Sequence, residues 1–254
     1  MKKIPLILTL LLTIITISAC TQKTSSENAA SKSESVIESK PQTNISEREI
    51  NNNKINWDKG TSSLKVVKDK STITDLASFP TSLDKLKKDN DYVIQGTIID
   101  LDEMTDYNEN AMTKATILVD NVISGGNGIQ DHTIKVVFTG GVTENSKSQQ
   151  VYVNRVDAPI PEIGSKIITG IRTNRSQDTT DKKYAKYLKT NKLGGSDTFK
   201  ISVPEYNIWV KNDGEKKYSL NNPELNGKKT SDSNKEIADK LQKLTDILND
   251  KYNK

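Results

Sequence analysis

One cysteine, one histidine, two tryptophans and four arginines are all that 254 residues contain of those types. A single cysteine excludes an intramolecular disulfide, and one cysteine with one histidine excludes a structural zinc site of the usual ligands. Aromatic residues make up 5% and hydrophobic residues 33% of the chain, with a mean hydropathy of −0.64. Such a chain supports one modest core with loose ends, not a large multidomain enzyme. Charge of one sign is lacking too: 37 basic residues face 33 acidic ones, so the global charge selects no particular partner, and nucleic acid is not an expected one. Lysine supplies nearly all of the basic residues and stands beside abundant Asn and Ile, as expected of an AT-rich bacterial genome.

What the chain does have begins at its N-terminus. Lys2 and Lys3 precede an apolar run from Ile4 to Ile17, followed by small residues, which is the layout of a secretory signal. The run is too short to serve as a comfortable membrane-spanning helix. Its last four residues, Ile17-Ser18-Ala19-Cys20, resemble the lipobox of bacterial lipoproteins. That resemblance implies cleavage between Ala19 and Cys20 by signal peptidase II. It also implies diacylglycerol, with chains such as palmitate, on the Cys20 thiol. Two acyl chains anchor a protein stably where one does so only marginally. Residues 1–19 are therefore expected to be the signal peptide. Residues 20–56, rich in Ser, Thr, Asn, Lys, Glu and Gln, are expected to be the lipidated cysteine and a disordered tether with a span of roughly 30–35 Å.

A folded domain is expected over residues 57–223. A short helical turn follows Pro80, at Leu83-Asp84-Lys85-Leu86-Lys87-Lys88. Strand-like runs cover 92–101, 115–123, 132–139, 149–154, 166–172, 198–203 and 206–211, punctuated by Gly125-Gly126-Asn127-Gly128, Gly140-Gly141 and Gly194-Gly195. Short strands without long intervening helices indicate a mainly β fold, a small antiparallel barrel. The order of the helical turn, Asp91-Tyr92-Val93-Ile94-Gln95-Gly96-Thr97-Ile98, the run 116–123, Val136-Val137-Phe138-Thr139-Gly140-Gly141 and Pro161-Glu162-Ile163-Gly164 resembles the OB-like β-barrel domain of uncharacterised bacterial surface proteins. The likeness spans about residues 75–220 and departs from the pattern in a long insertion at 173–197. In the remaining stretch, 224–254, Ile237, Leu241, Leu244, Leu248 and Tyr252 mark an amphipathic helix capped by Asp232 or Ser233. Packing on the barrel is its expected use; a partner-binding or membrane-surface role is the competing one.

No candidate for chemistry rises from these runs. The acidic stretch from Asp100 to Asn110 fails as an EF-hand loop: counted from Asp106, position 6 is Ala111 and position 12 is Ile117. His132 has no nucleophile elbow to serve. The glycines at 125–128 lack the Lys-Ser/Thr of a phosphate loop. No metal, no cofactor and no enzymatic activity are expected. The best ligand candidate is the segment 166–200, with nine basic residues against three aspartates. There Arg172, Arg175, Lys182, Lys183, Lys186 and Lys189 would attract an anionic partner, and Tyr184 and Tyr187 would add contact area. Thr180 or Asp181 is placed to cap a short helix through the lysines. A solvated loop is the plainer reading of the same charges.

The function expected is that of a lipid-anchored, non-catalytic binding module on the outer face of the cell membrane of a Gram-positive bacterium. Its partners would be the membrane, through Cys20, and an anionic wall polymer or envelope protein. The alternatives are a wall-acting hydrolase whose carboxylates meet only in three dimensions, or an accessory in surface exclusion, immunity or envelope stress.

Overall fold

The computed structural model describes residues 45–70, 79–174, 179–226 and 234–253. The lipobox with Ala19 and Cys20, and the tether as far as residue 44, lie outside the described residues, as does Arg175. The chain order is α1 (Glu47–Thr61), β1 (Lys65–Asp69), α2 (Leu83–Lys88), β2 (Tyr92–Thr105), β3 (Ala111–Ser124), β4 (Thr133–Thr139), β5 (Gly141–Glu144), β6 (Gln150–Arg155), β7 (Lys166–Thr173), α3 (Lys182–Thr190), β8 (Thr198–Lys200), α4 (Pro204–Asn207), β9 (Ile208–Lys211), β10 (Ser219–Leu220) and α5 (Lys235–Tyr252). The fold is mainly β, in two sheets.

The larger sheet runs β10-β9-β7-β2-β3-β4-β8, and the smaller runs β1-β6-β5. β2 and β3 form a long antiparallel hairpin whose register shifts three times, each shift adding local bend. β3 alternates buried and half-buried residues along most of its length, the mark of a strand with one face on the core. β8 is short but pairs on two sides, parallel to β4 and antiparallel to β7. Ile94, Ile98, Ile117, Val119, Ile134 and Val136 interlock in the main cluster. At Gly140 and Gly141 the chain passes from one sheet to the other with φ of +104° and +112°. A Cβ on Gly141 would stand 2.1 Å from the Thr113 hydroxyl, so only glycine fits there.

A second cluster lies on the outer face of β7 and β9, where Val93, Ile168 and Trp209 meet Leu86 of α2 and Leu241, Leu244 and Leu248 of α5. The Trp209 indole N–H donates to the Thr245 hydroxyl at 2.8 Å. The apolar face of α5 is thus spent on the domain itself. Its N-cap residue is Asn234; Asp232 and Ser233 fall outside the described residues.

Several segments differ from the sequence expectation, among them the short strands β1, β5 and β10, which it did not include. Residues 45–56, expected to end the disordered tether, are ordered: α1 starts at Glu47 under a Ser46 cap. Ile50 and Trp57 rest on the main cluster, and the Asn53 amide donates to the Ile99 carbonyl at 3.0 Å. Anchors seven residues apart, with little apolar between them, suffice because tertiary contacts outweigh the weak periodicity. The expected strand over 198–203 stops at Lys200, and the one over 206–211 starts at Ile208. Between them Val203 takes a left-handed conformation (φ +51°) and Pro204 opens the single turn α4.

Beside that turn lies a buried ion cluster. The Arg155 guanidinium reaches Asp157 and Glu205, each at 3.1 Å, with all three side chains 10% exposed or less. It joins the end of β6 in the small sheet to α4, between two strands of the large one.

Candidate functional site

Helix α3 occupies the connection between β7 and β8. Asp181 starts it: its Oδ1 accepts hydrogen bonds from the amides of Lys183 at 2.8 Å and Tyr184 at 3.3 Å. These are two of the donors that a first helical turn leaves without partners. At 100° per residue, Tyr184, Tyr187 and Leu188 then fall on one side and Lys182, Lys186 and Lys189 on the other, with Lys183 on the flank. Burial follows the same division. Leu188 is buried, the two tyrosines are half-buried and all four lysines are exposed.

The inward side lands on the end of the β2–β3 hairpin. Leu188 joins Met104 and Leu193 in a small cluster that Met112, Val137, Tyr184 and Tyr187 border. Tyr107, from the hairpin turn, meets both helix tyrosines edge-on, with ring centres 5.8 Å from Tyr184 and 6.1 Å from Tyr187. Tyr184 and Tyr187 stack at 5.7 Å with 19° between their planes. Such pairs add attraction beyond the area they bury. Burial, then the neighbouring Tyr184, Asp106 and Tyr107, push the Tyr187 phenol up to about 12. A cleft of about 270 Å³ opens between helix and sheet, lined in part by the three tyrosines, Asn174, Phe199 and Lys200.

The turn that presents Tyr107 is organised by Asp106. Its carboxylate accepts from the Asn108 amide at 2.7 Å, the Asn110 amide at 2.9 Å and the Asn110 side chain at 2.8 Å. Partial burial works against ionisation, but these bonds outweigh it and hold the carboxyl below its ordinary range. Asp102, in the same acidic stretch, pairs with Lys114 at 3.1 Å. Hairpin structure thus accounts for these acids. Among the described residues no three or more metal-ligating side chains are grouped to hold an ion.

The residues expected to form one contact surface are divided by the helix. Lys182, Lys183, Lys186 and Lys189 point to solvent, and none has an ion-pair partner among the described residues. Tyr184 and Tyr187 face the other way and pin the helix down. Arg172 stands apart: its Nε donates to the Asp89 carbonyl at 2.7 Å, tying β7 to the end of α2. Lys166 pairs with Asp120 at 3.0 Å and also donates to the Thr97 hydroxyl at 2.7 Å. Sequence reasoning missed Tyr107, whose ring partners are about eighty residues away and leave no local mark. His132 sits half-buried just before β4, its amide bonded to the Ile129 carbonyl in the preceding turn.

The chain matches no protein-family profile, no curated protein and no solved structure.

Proposed function

We propose that this chain is a bacterial envelope lipoprotein, anchored through Cys20 on the outer face of a Gram-positive cell membrane, whose OB-like domain binds an anionic envelope polymer without transforming it. The anchor rests on the series of positive residues, apolar run and Ile17-Ser18-Ala19-Cys20. No helix among the described residues is long and apolar enough to cross a membrane. Support for an OB-like barrel comes from the pairings: β7 to β2, β2 to β3, β3 to β4, β4 to β8 and β8 back to β7. That succession suits a five-stranded Greek-key barrel.

The observation that carries the binding reading is the row of four lysines, without ion-pair partners among the described residues, on a helix held by three tyrosine rings. An ordered helix presents its charges at fixed spacing, so less side-chain and backbone freedom is lost on contact. With a Debye length of about 8 Å at physiological salt, the attraction acts only at close approach, and a repeating polyanion such as a polyol-phosphate chain meets that condition along its whole length. The experiment is binding of the purified protein to immobilised teichoic acid. Replacing Lys182, Lys183, Lys186 and Lys189 by Gln should weaken binding roughly 100- to 1000-fold, taking about 1 kcal/mol per lysine at an anionic surface. Added salt should have the same sense. Affinity unmoved by both would overturn the reading. Fatty-acid labelling of the wild type but not of Cys20→Ala checks the anchor separately.

A further inference from the structure

We infer that β1 is a self-association edge, through which two copies of this chain pair antiparallel about a two-fold axis at Val67. β1 closes one side of the small sheet. It pairs with β6 in parallel, and no strand among the described residues pairs with its other side. All five of its residues are exposed, including Val66 at 55% and Val67 at 39%. An unpaired edge that carries exposed valines is a template for another strand.

The hydrogen-bond phase of the strand selects what that strand can be. The Asp69 carbonyl accepts from the Val156 amide at 2.9 Å, so Asp69 turns its main-chain groups toward β6. Successive residues of a strand alternate, so Val67 and Lys65 also face β6, whereas Val66 and Lys68 turn their N–H and C=O groups outward. An antiparallel partner must therefore place its own outward residues opposite Val66 and Lys68. A second copy does so when Val66 faces Lys68 of the other chain and Lys68 faces its Val66, an arrangement with four new main-chain hydrogen bonds.

In that register Val67 meets Val67 of the other chain, and each Lys65 meets the other chain's Asp69. These are the non-hydrogen-bonded positions, where facing side chains come closest. Among the described residues Lys65 and Lys68 have no ion-pair partner, and the Asp69 carboxylate accepts only the Lys70 amide, at 2.8 Å. Lysines usually protect an edge by repelling its like; here the two-fold sets each Lys65 against an acid. The sequence Lys65-Val66-Val67-Lys68-Asp69 is thus self-complementary in charge in the register its main chain permits. The two small sheets would join into one of six strands. Five residues per copy make a contact smaller than a standard protein interface, so the dimer is a weak one that high local density favours.

The test is position-resolved disulfide trapping in the full-length chain carrying Cys20→Ser, which removes its only thiol. Val66→Cys, Val67→Cys and Lys68→Cys are oxidised separately under mild conditions. Val67→Cys should give a covalent dimer, with a yield at least several-fold above the other two, because only residue 67 faces itself. Adding Lys65→Glu to Val67→Cys should cut the yield several-fold, and adding Lys65→Glu together with Asp69→Lys should restore it. Equal yields at the three positions, no dimer at 67, or indifference to the charge changes would each overturn the inference.

Discussion

Three phenol rings at the end of the β2–β3 hairpin form a joint, and Tyr187 is one of its two half-buried members. Its proton is held to about 12, chiefly because burial penalises the phenolate, with Tyr184, Asp106 and Tyr107 adding to the effect. The folded value lies above the ordinary 10.0, so the native state keeps a proton that the unfolded chain would release. The resulting stability is fully present below pH 10 and is lost as pH rises toward 12. Burial also raises Tyr152 and Tyr218, so a difference titration is needed to single out one ring. Followed by tyrosinate absorbance, Tyr187→Phe should remove a phenol that titrates at about 12.

At the scale of elements, α5 shows how much one helix face can carry. Leu244 is 1% exposed and packs in the cluster that holds Trp209 and Leu86. Leu244→Ala should cost about 2–5 kcal/mol in urea unfolding, whereas the exposed neighbour Lys243→Ala should change stability by no more than about 0.5 kcal/mol. This helix was legible in the sequence because its apolar spacing is regular. So were the large strands, whose β-branched residues lie on buried faces, and the start of α3, where Asp181 offers a capping oxygen. α1 was not legible: Ile50, in a polar stretch ahead of Trp57, looks like tether until the surface it rests on is known. β1 was missed for the opposite reason, since a strand exposed on both faces leaves no alternation to read. Of the candidate site, composition revealed the charges and the tyrosines but not their division. Helical phase sets that division, and Tyr107 enters only through the tertiary fold.

Across the whole molecule, the two sheets are fastened by the Gly140–Gly141 crossing and by the Arg155 cluster. Arg155 balances two carboxylates in a place nearly closed to water, and Glu205 Oε2 has no hydrogen-bond partner among the described residues. Removing the guanidinium would leave both acids without their cation. Arg155→Met should therefore cost about 3–5 kcal/mol, read as a drop in thermal midpoint. Lys240→Met, which breaks an exposed pair with Glu236 on α5, should shift it little. The covering of β7 and β9 by α5 has a further consequence for the timing of folding. A chain delivered N-terminus first, from a ribosome or through a translocation channel, presents Val93, Ile168 and Trp209 before the helix that shelters them exists. Until residues 235–252 emerge, that face is open to chaperones and to proteases. Passage through this interval is a kinetic hazard separate from the stability of the finished fold.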